Sequence, residues 1–419
     1  MLKRIKVQGF KTLWDEEPIE LPHLTVIFGP NASGKSNFLE ALQVLSRTAT
    51  ERTLSEAFAC PIRGHAIEAF RFPSTGLPGL YEAEQQPTLT LEADVELPSR
   101  SEKSSADMVR YRIKIGIHPS SGVLSVIDEY LVEIKADGTS IWTPKIDSDE
   151  HNIYVRKKKQ PGHPLQEEIG QGHTVLSNPR YAGEPYSWIE RTRDELRSWR
   201  VYYLDPRVAM REAKAPSEVL DIGELGDYIA PFLHRLSREY PKNFEAVRRT
   251  LSRVIPSVEG VSVDLDPKRG TLDIQVRQGG VDYSSRIISE GTLRVLALVA
   301  ITVNPWRPSL IAFEEPENGV HPRRLELIAE LLYSLADSQC QVIVTTHSPL
   351  FCDWVLRKQE EPSKIGVFTA SRRDDGSTRL RKFDPLPLFQ GGDVRDALST
   401  PTEDGMFENL VLRGFLNEE

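Results

Sequence analysis

The residues with the most explicit chemistry lie in Gly29-Pro30-Asn31-Ala32-Ser33-Gly34-Lys35-Ser36, which fits the pattern G-x-x-x-x-G-K-[ST]. A loop with this spacing turns successive backbone N–H groups inward, because its glycines adopt conformations that a Cβ would block. That is phosphate-binding chemistry. Asn31, Ala32, Ser33, Gly34, Lys35, Ser36 and Asn37 are therefore the candidate nucleotide contacts. Lys35 would neutralise the β and γ phosphates and Ser36 would ligate Mg²⁺. The apolar run from Leu24 to Phe28 predicts a strand before the loop, and Phe38, Leu39, Leu42 and Leu45 predict a helix after it. The N-terminus of that helix adds partial positive charge.

A second group of reactive types follows far along the chain. Ser309 to Phe313 reads as a buried strand ending in Glu314-Glu315-Pro316-Glu317. Adjacent carboxylates after an apolar run are costly unless a cation or a proton transfer uses them. Glu314 is the candidate Mg²⁺ ligand, directly or through water, and Glu315 the candidate general base. An exposed acidic turn is the bland alternative. Gln341 to Thr346 reads as another buried strand delivering His347, whose neutral imidazole can hydrogen-bond a γ-phosphate or the water beside it. Upstream, Ser289 is a natural N-cap, Glu290 suits a first turn, and Val295 to Ile301 is apolar until Pro305 stops the helix. Alone, these residues describe a capped core helix.

The rest of the chain must position these groups. Its 419 residues, 39% of them hydrophobic, are enough for a large core in two or three lobes. A net charge of −9 argues against a coat of basic residues for nucleic acid. Cys60, Cys340 and Cys352 are too few and too irregular for a disulfide framework or zinc site. No apolar run reaches a membrane-spanning length and no leader pattern opens the chain, so a soluble cytoplasmic protein is expected. Period-two alternation over Leu89 to Leu97, Val109 to Ile117 and Val123 to Lys135 predicts an antiparallel β-subdomain separate from the parallel core, with a further strand at Ser140 to Thr143. Val201 to Pro206 returns to the core, helices follow near Tyr228 to Ser237 and Asn243 to Val254, and strands at Val261 to Leu265 and Leu272 to Arg277. The expected division is 1–48 for the first part of the core and 49–215 for the β-subdomain and insertion. A helical subdomain follows at 216–256, the second part of the core at 257–360, and a hairpin with a helical tail at 361–419.

Arg156 to Lys159 and Arg191, Arg193, Arg197 and Arg200 are the most basic clusters. Phosphate-backbone contact is one reading; a solvated loop and an ordinary helix face is the favoured one. Asp374 and Asp375 read as turn formers in a hairpin of Ile365 to Ala370 and Thr378 to Phe383, ahead of a helix near Met406 to Leu416.

Taken in order, GPNASGKS resembles a Walker A motif, ISEGTLR an ABC-type signature, LIAFEEPENGVHP a Walker B motif with its D-loop, and VIVTTHSP an H-switch. Together they resemble the ABC-type ATPases of the RecF, SMC and OLD group, most closely the stand-alone ATPases of that group. The resemblance implies an α/β P-loop NTPase fold: an ABC-like head with a mainly parallel core sheet, an antiparallel β-subdomain and a helical subdomain. It implies ATP and Mg²⁺ as ligands. Lys35 and Ser36 then match the phosphate and Mg²⁺ residues, Glu315 the catalytic carboxylate and His347 the switch histidine. Glu314 stands where the family usually has Asp. Ser289 and Gly291 match the signature, which contacts ATP held by the other protomer, so the resemblance implies a homodimer with shared sites. Lys11 resembles the basic residue that approaches the nucleotide from the N-terminal strand. No Q-loop glutamine is visible, and Asp205 is a candidate for its position only. The chain lacks the Toprim motifs of OLD nucleases and the heptads of an SMC arm. The family association, and not the residues, implies a separately encoded effector, such as a nuclease, with nucleic acid as a further partner and no membrane. An ATPase switch in phage defence or DNA repair is the leading expectation. A slow, nucleotide-gated scaffold that assembles a protein partner is the alternative.

Overall fold

The computed structural model describes residues 1–59, 61–98, 107–141, 143–157, 163–338, 340–358 and 364–383, with Phe407 and Val411. Five parallel strands form the centre, in the order Ile365–Arg372, Leu24–Phe28, Gln341–Thr346, Leu310–Glu314 and Arg200–Tyr202. Every residue of Leu24–Phe28 and Gln341–Thr346 is buried, the polar Thr25, Gln341, Thr345 and Thr346 included, which explains why these segments show no alternation of apolar and polar residues. On one face Ile27, Ala312, Ile343 and Phe368 pack with the helix Lys35–Thr50. On the other, Val26, Phe28, Phe313 and Val344 pack with the helices Glu290–Thr302, Leu325–Asp337 and Pro349–Arg357.

Register fixes where the chemistry falls. Phe28 lies opposite Thr346, and Glu314 opposite Thr345. Gly29, Glu315 and His347 therefore leave the sheet side by side at its carboxyl edge, where ligands of open parallel sheets bind. The strand carrying His347 separates the loop strand from the acidic one.

The alternating segments form the antiparallel strands Thr88–Leu97, Asp107–His118 and Val123–Ile134. They are not separate from the core, as the sequence led us to expect. Leu2–Phe10 pairs with Thr88–Leu97 on one side and with Leu13–Trp14 on the other, and Leu13 pairs with Thr378 of the C-terminal hairpin. Among the described residues the result is one 15-stranded mixed sheet. The helices Ile229–Glu239 and Pro241–Val254 pack beside a second sheet, Gly260–Asp266, Thr271–Gln278 and Val281–Ser284, whose last strand the sequence pattern did not reveal. Of the expected strand from Ser140 to Thr143, Trp142 lies outside the described residues, and Ser140 forms a single bridge to Ile134. The hairpin forms as Ile365–Arg372 and Thr378–Lys382. The expected terminal helix, Met406 to Leu416, lies outside the described residues except for Phe407 and Val411, and Phe407 is buried edge-on against Phe28. Among the described residues no helix is long and apolar enough to cross a membrane.

Candidate active site

The phosphate-type loop, between Phe28 and the helix Lys35–Thr50, contains two left-handed residues, Ala32 at φ 64° and Gly34 at φ 99°. The C-terminal hairpin braces it. Thr378 Oγ1 donates to Ser33 O at 2.9 Å, and Arg372 Nε donates to Ala32 O at 2.9 Å. Lys35, buried at the helix start, folds its ammonium back onto Gly29 O at 2.7 Å and Pro30 O at 2.9 Å. Burial pushes this ammonium below its ordinary range, and Glu315, Glu317 and Glu314 pull the other way. Ser33 Oγ is buried without a partner, Ser36 is partly exposed, and Asn37 Nδ2 donates to Thr12 Oγ1 at 2.8 Å. A cation, hydroxyls and left-handed turns at a helix start suit a polyphosphate. The hard oxygens of Ser36 and Glu314 suit Mg²⁺.

Glu315 occupies the left-handed region at φ 45°, a conformation that costs a Glu roughly 1–3 kcal/mol. Its N–H bonds Thr345 O at 3.0 Å, which holds the turn against the neighbouring strand. Asn318 Nδ2 donates to Glu315 Oε2 at 2.7 Å, and His347 Nδ1 stands 3.4 Å from Glu315 Oε1. The structure thus brings the acidic pair, Lys35 and His347 to one edge. It also brings Glu317, which the sequence reading left without a role. Glu317 is 6% exposed, its Oε1 accepts from Thr346 Oγ1 and from His347 N, and its Oε2 is buried without a partner. Burial pushes this carboxyl up, opposed by the Thr346 hydroxyl. The one available signal was a third carboxylate two residues after Glu315.

Ser289 caps the helix Glu290–Thr302 by accepting from Thr292 N at 3.2 Å. Gly291 has no room for a side chain, since a Cβ would lie 2.1 Å from Gly319 O. The signature helix thereby abuts the turn that follows the acidic pair. Ser289 itself is exposed, and no hydrogen bond links Ser289 or Gly291 to the phosphate-type loop among the described residues. Arg211 was also missed by sequence reading. Its guanidinium donates to Pro206 O, Ser285 O, Arg286 O and Ile288 O at 2.5–2.8 Å, clamping the approach to Ser289.

The remaining candidates are held internally. Lys11, at φ 49°, pairs with the fully buried Glu40 and donates to Arg63 O at 3.1 Å. Burial pushes the Lys11 ammonium down while Glu40 pulls it up. Lys11, Thr12, Arg71, Phe72 and Arg372 line a cavity of about 550 Å³ flanking the loop. Asp205 accepts from the N–H groups of Arg207, Val208 and Ala209 at 3.0–3.3 Å, so its carboxylate closes a turn. Asp375 likewise accepts from Ser377 N and Oγ. Arg193 is buried on the carbonyls of Leu176, Asn178 and Tyr181. Arg191 pairs with Asp107, Arg200 with Asp221 and Arg156 with Asp147. Lys158 and Lys159 lie outside the described residues.

The sequence pattern of a family described as "AAA domain, putative AbiEii toxin, Type IV TA system" matches residues 24–86 and 133–353. No curated protein matches the chain. Among solved structures, an SMC head bound to the C-winged helix domain of ScpA is similar at a TM-score of 0.51 and 14% identity, covering 92% of this chain and 99% of that one. The SMC head domain from Thermotoga maritima gives 0.42 and 15%, over 91% and 99% of the two chains. An SMC head with an extended coiled coil from Pyrococcus furiosus, bound to the C-terminal domain of ScpA, gives 0.48 and 12%, over 93% and 98%. The first of these likenesses is one of fold, an α/β ATPase head with a mixed sheet.

Proposed function

We propose, from the premise that this chain belongs to the AAA-domain family whose pattern spans residues 24–86 and 133–353, that it is an Mg²⁺-dependent ATPase acting as a nucleotide-switched homodimer. The observation that carries the reading is the placement of Glu315 between His347 and Asn318 on the sheet edge shared with the Lys35 loop. Asn31 to Asn37 would bind the phosphates, with Lys35 exchanging its two loop carbonyls for phosphate oxygens. Ser36 and Glu314 would hold Mg²⁺, which supplies charge neutralisation to the β and γ phosphates. Glu315 would take a proton from water as its oxygen bonds the γ-phosphorus and the bond to the β-phosphate oxygen breaks, giving ADP and phosphate. His347 would sense the γ-phosphate. Lys11 lines the cavity beside the loop and would approach the nucleotide from there. Ser289 and Gly291 would complete the site of a second copy.

The output we infer is control of a nucleic-acid-directed process, such as phage defence or DNA repair, through a separately encoded effector. Binding of ScpA by a similarly folded SMC head supports a partner protein as the receiver. A second reading, a scaffold that turns over slowly and binds no DNA, is favoured by one observation. Arg156, Arg191, Arg193 and Arg200 spend their charge on internal partners.

ATP hydrolysis measured across protein concentration, for wild type and Glu315→Gln, tests the proposal together with sizing of the variant in ATP. Specific activity should rise with concentration and fall about 100-fold or more in the variant, which ATP should hold as a dimer. Concentration-independent hydrolysis with a monomeric variant would overturn the shared site. Nucleotide-dependent dimers without turnover would favour the scaffold.

A further inference from the structure

We propose that Glu317 is a positioning residue for His347, holding the imidazole against Glu315 by gripping the backbone and side chain on either side of the strand end. The inference rests on the ATPase reading above. His347 has little packing of its own: its side chain is 49% exposed, and its nearest carboxylate contact is the 3.4 Å approach to Glu315. What fixes it is the residue before it and its own amide. Glu317 Oε1 accepts from Thr346 Oγ1 and, at 3.3 Å, from His347 N, and it stands 4.0 Å from His347 Nδ1. Thr346 Oγ1 in turn accepts from Ser348 N at 2.9 Å, and Ser348 Oγ caps the helix Pro349–Arg357 through Phe351 N. A single carboxylate therefore ties the acidic turn to the histidine and to the helix that follows it.

The same carboxylate is expensive to keep. Its side chain is 5% exposed, and Oε2 has no hydrogen-bond partner. A buried, half-satisfied carboxylate costs stability that an apolar residue would not. The hydroxyl of Thr346 and the amide of His347 need an acceptor at this spot, and an acidic side chain rising from the turn after Glu315 supplies it. Lys35, within electrostatic reach of Glu317, moderates the charge.

The test uses the full chain and compares Glu317→Ala, Glu317→Gln and Thr346→Val in steady-state hydrolysis, in binding of a non-hydrolysable ATP analogue and in thermal melting. Gln keeps an acceptor oxygen for both donors; Ala removes it. Glu317→Ala should lower kcat by about 10- to 100-fold with KM and analogue affinity within about twofold, a split a merely structural role would not produce. Glu317→Gln should recover most of that loss. Thr346→Val removes the hydroxyl arm of the grip and leaves His347 N bonded to Glu317, so it should lower kcat in the same direction but less than Glu317→Ala. The double variant should fall short of the product of the two losses, because the two residues share one link. Thr346→Val carries the test if Glu317→Ala does not fold. Wild-type rates in a folded Glu317→Ala, or equal losses of kcat and analogue binding in Ala and Gln, would overturn the inference while leaving the ATPase reading intact. A wild-type chain that hydrolyses no ATP would overturn both.

Discussion

Thr378 occupies the space that a side chain on Gly34 would need: a Cβ there would lie 2.0 Å from Thr378 Oγ1 and 2.9 Å from its Cβ. The phosphate-type loop is thus moulded against a hairpin that arrives 345 positions later, counted from Ser33, whose carbonyl Thr378 also binds. Gly34→Ala meets this clash and the left-handed φ of 99° together. It should cost about 2 kcal/mol or more of stability and weaken ATP binding at least tenfold. Thermal melting and a fluorescent-nucleotide titration check it; an unchanged melt would show that the hairpin yields.

Arg193 and Arg197 separate structure from surface charge within one helix. The Arg193 guanidinium is buried on three carbonyls, whereas the Arg197 side chain is 58% exposed and pairs with Asp194 at 3.6 Å. Arg193→Ala should destabilise by about 3–5 kcal/mol, because it strands buried acceptors, while Arg197→Ala should change stability by less than about 1 kcal/mol. Urea unfolding of the two variants decides. A stable Arg193→Ala that loses affinity for DNA would return this residue to a nucleic-acid surface.

Glu129 makes stability depend on pH. It is fully buried, accepts from Tyr111 Oη, Val175 N and Leu176 N, and burial raises its carboxyl to about 7 from an ordinary 4.5; those three hydrogen bonds oppose the rise and the neighbouring Asp128 adds to it. A raised folded-state value means that the folded chain holds the proton more tightly. Its contribution is complete below about 4.5 and is lost as pH rises through about 7. Relative to Glu129→Gln, wild type should lose about 1.4 kcal/mol per pH unit across that window. Denaturant melts of both chains from pH 4.5 to 8 measure it. A wild-type curve parallel to the variant's would show that the folded chain holds this proton no more tightly than the unfolded one.

Short-range patterns in the sequence were enough for the loop, the strands that deliver Glu314, Glu315 and His347, the Ser289 cap and the alternating strands. Each depends on a spacing of a few residues: the period of a strand or helix, a glycine where a turn needs one, a cap before an apolar run. The carboxyl edge could be anticipated for the same reason, since successive buried strands ended in polar groups. Only the tertiary structure decided what those groups touch. Nothing local distinguishes Arg193, which is buried, from Arg197, which is solvated. Nor does it show Glu317 reaching Thr346, Lys11 turning to Glu40, or Thr378 filling the space over Gly34. It also does not show that Leu13 and Thr378 join the antiparallel strands to the core in one sheet. The physical reason is that burial and pairing depend on which distant segments share a core, and neither residue type nor spacing along the chain records that neighbour.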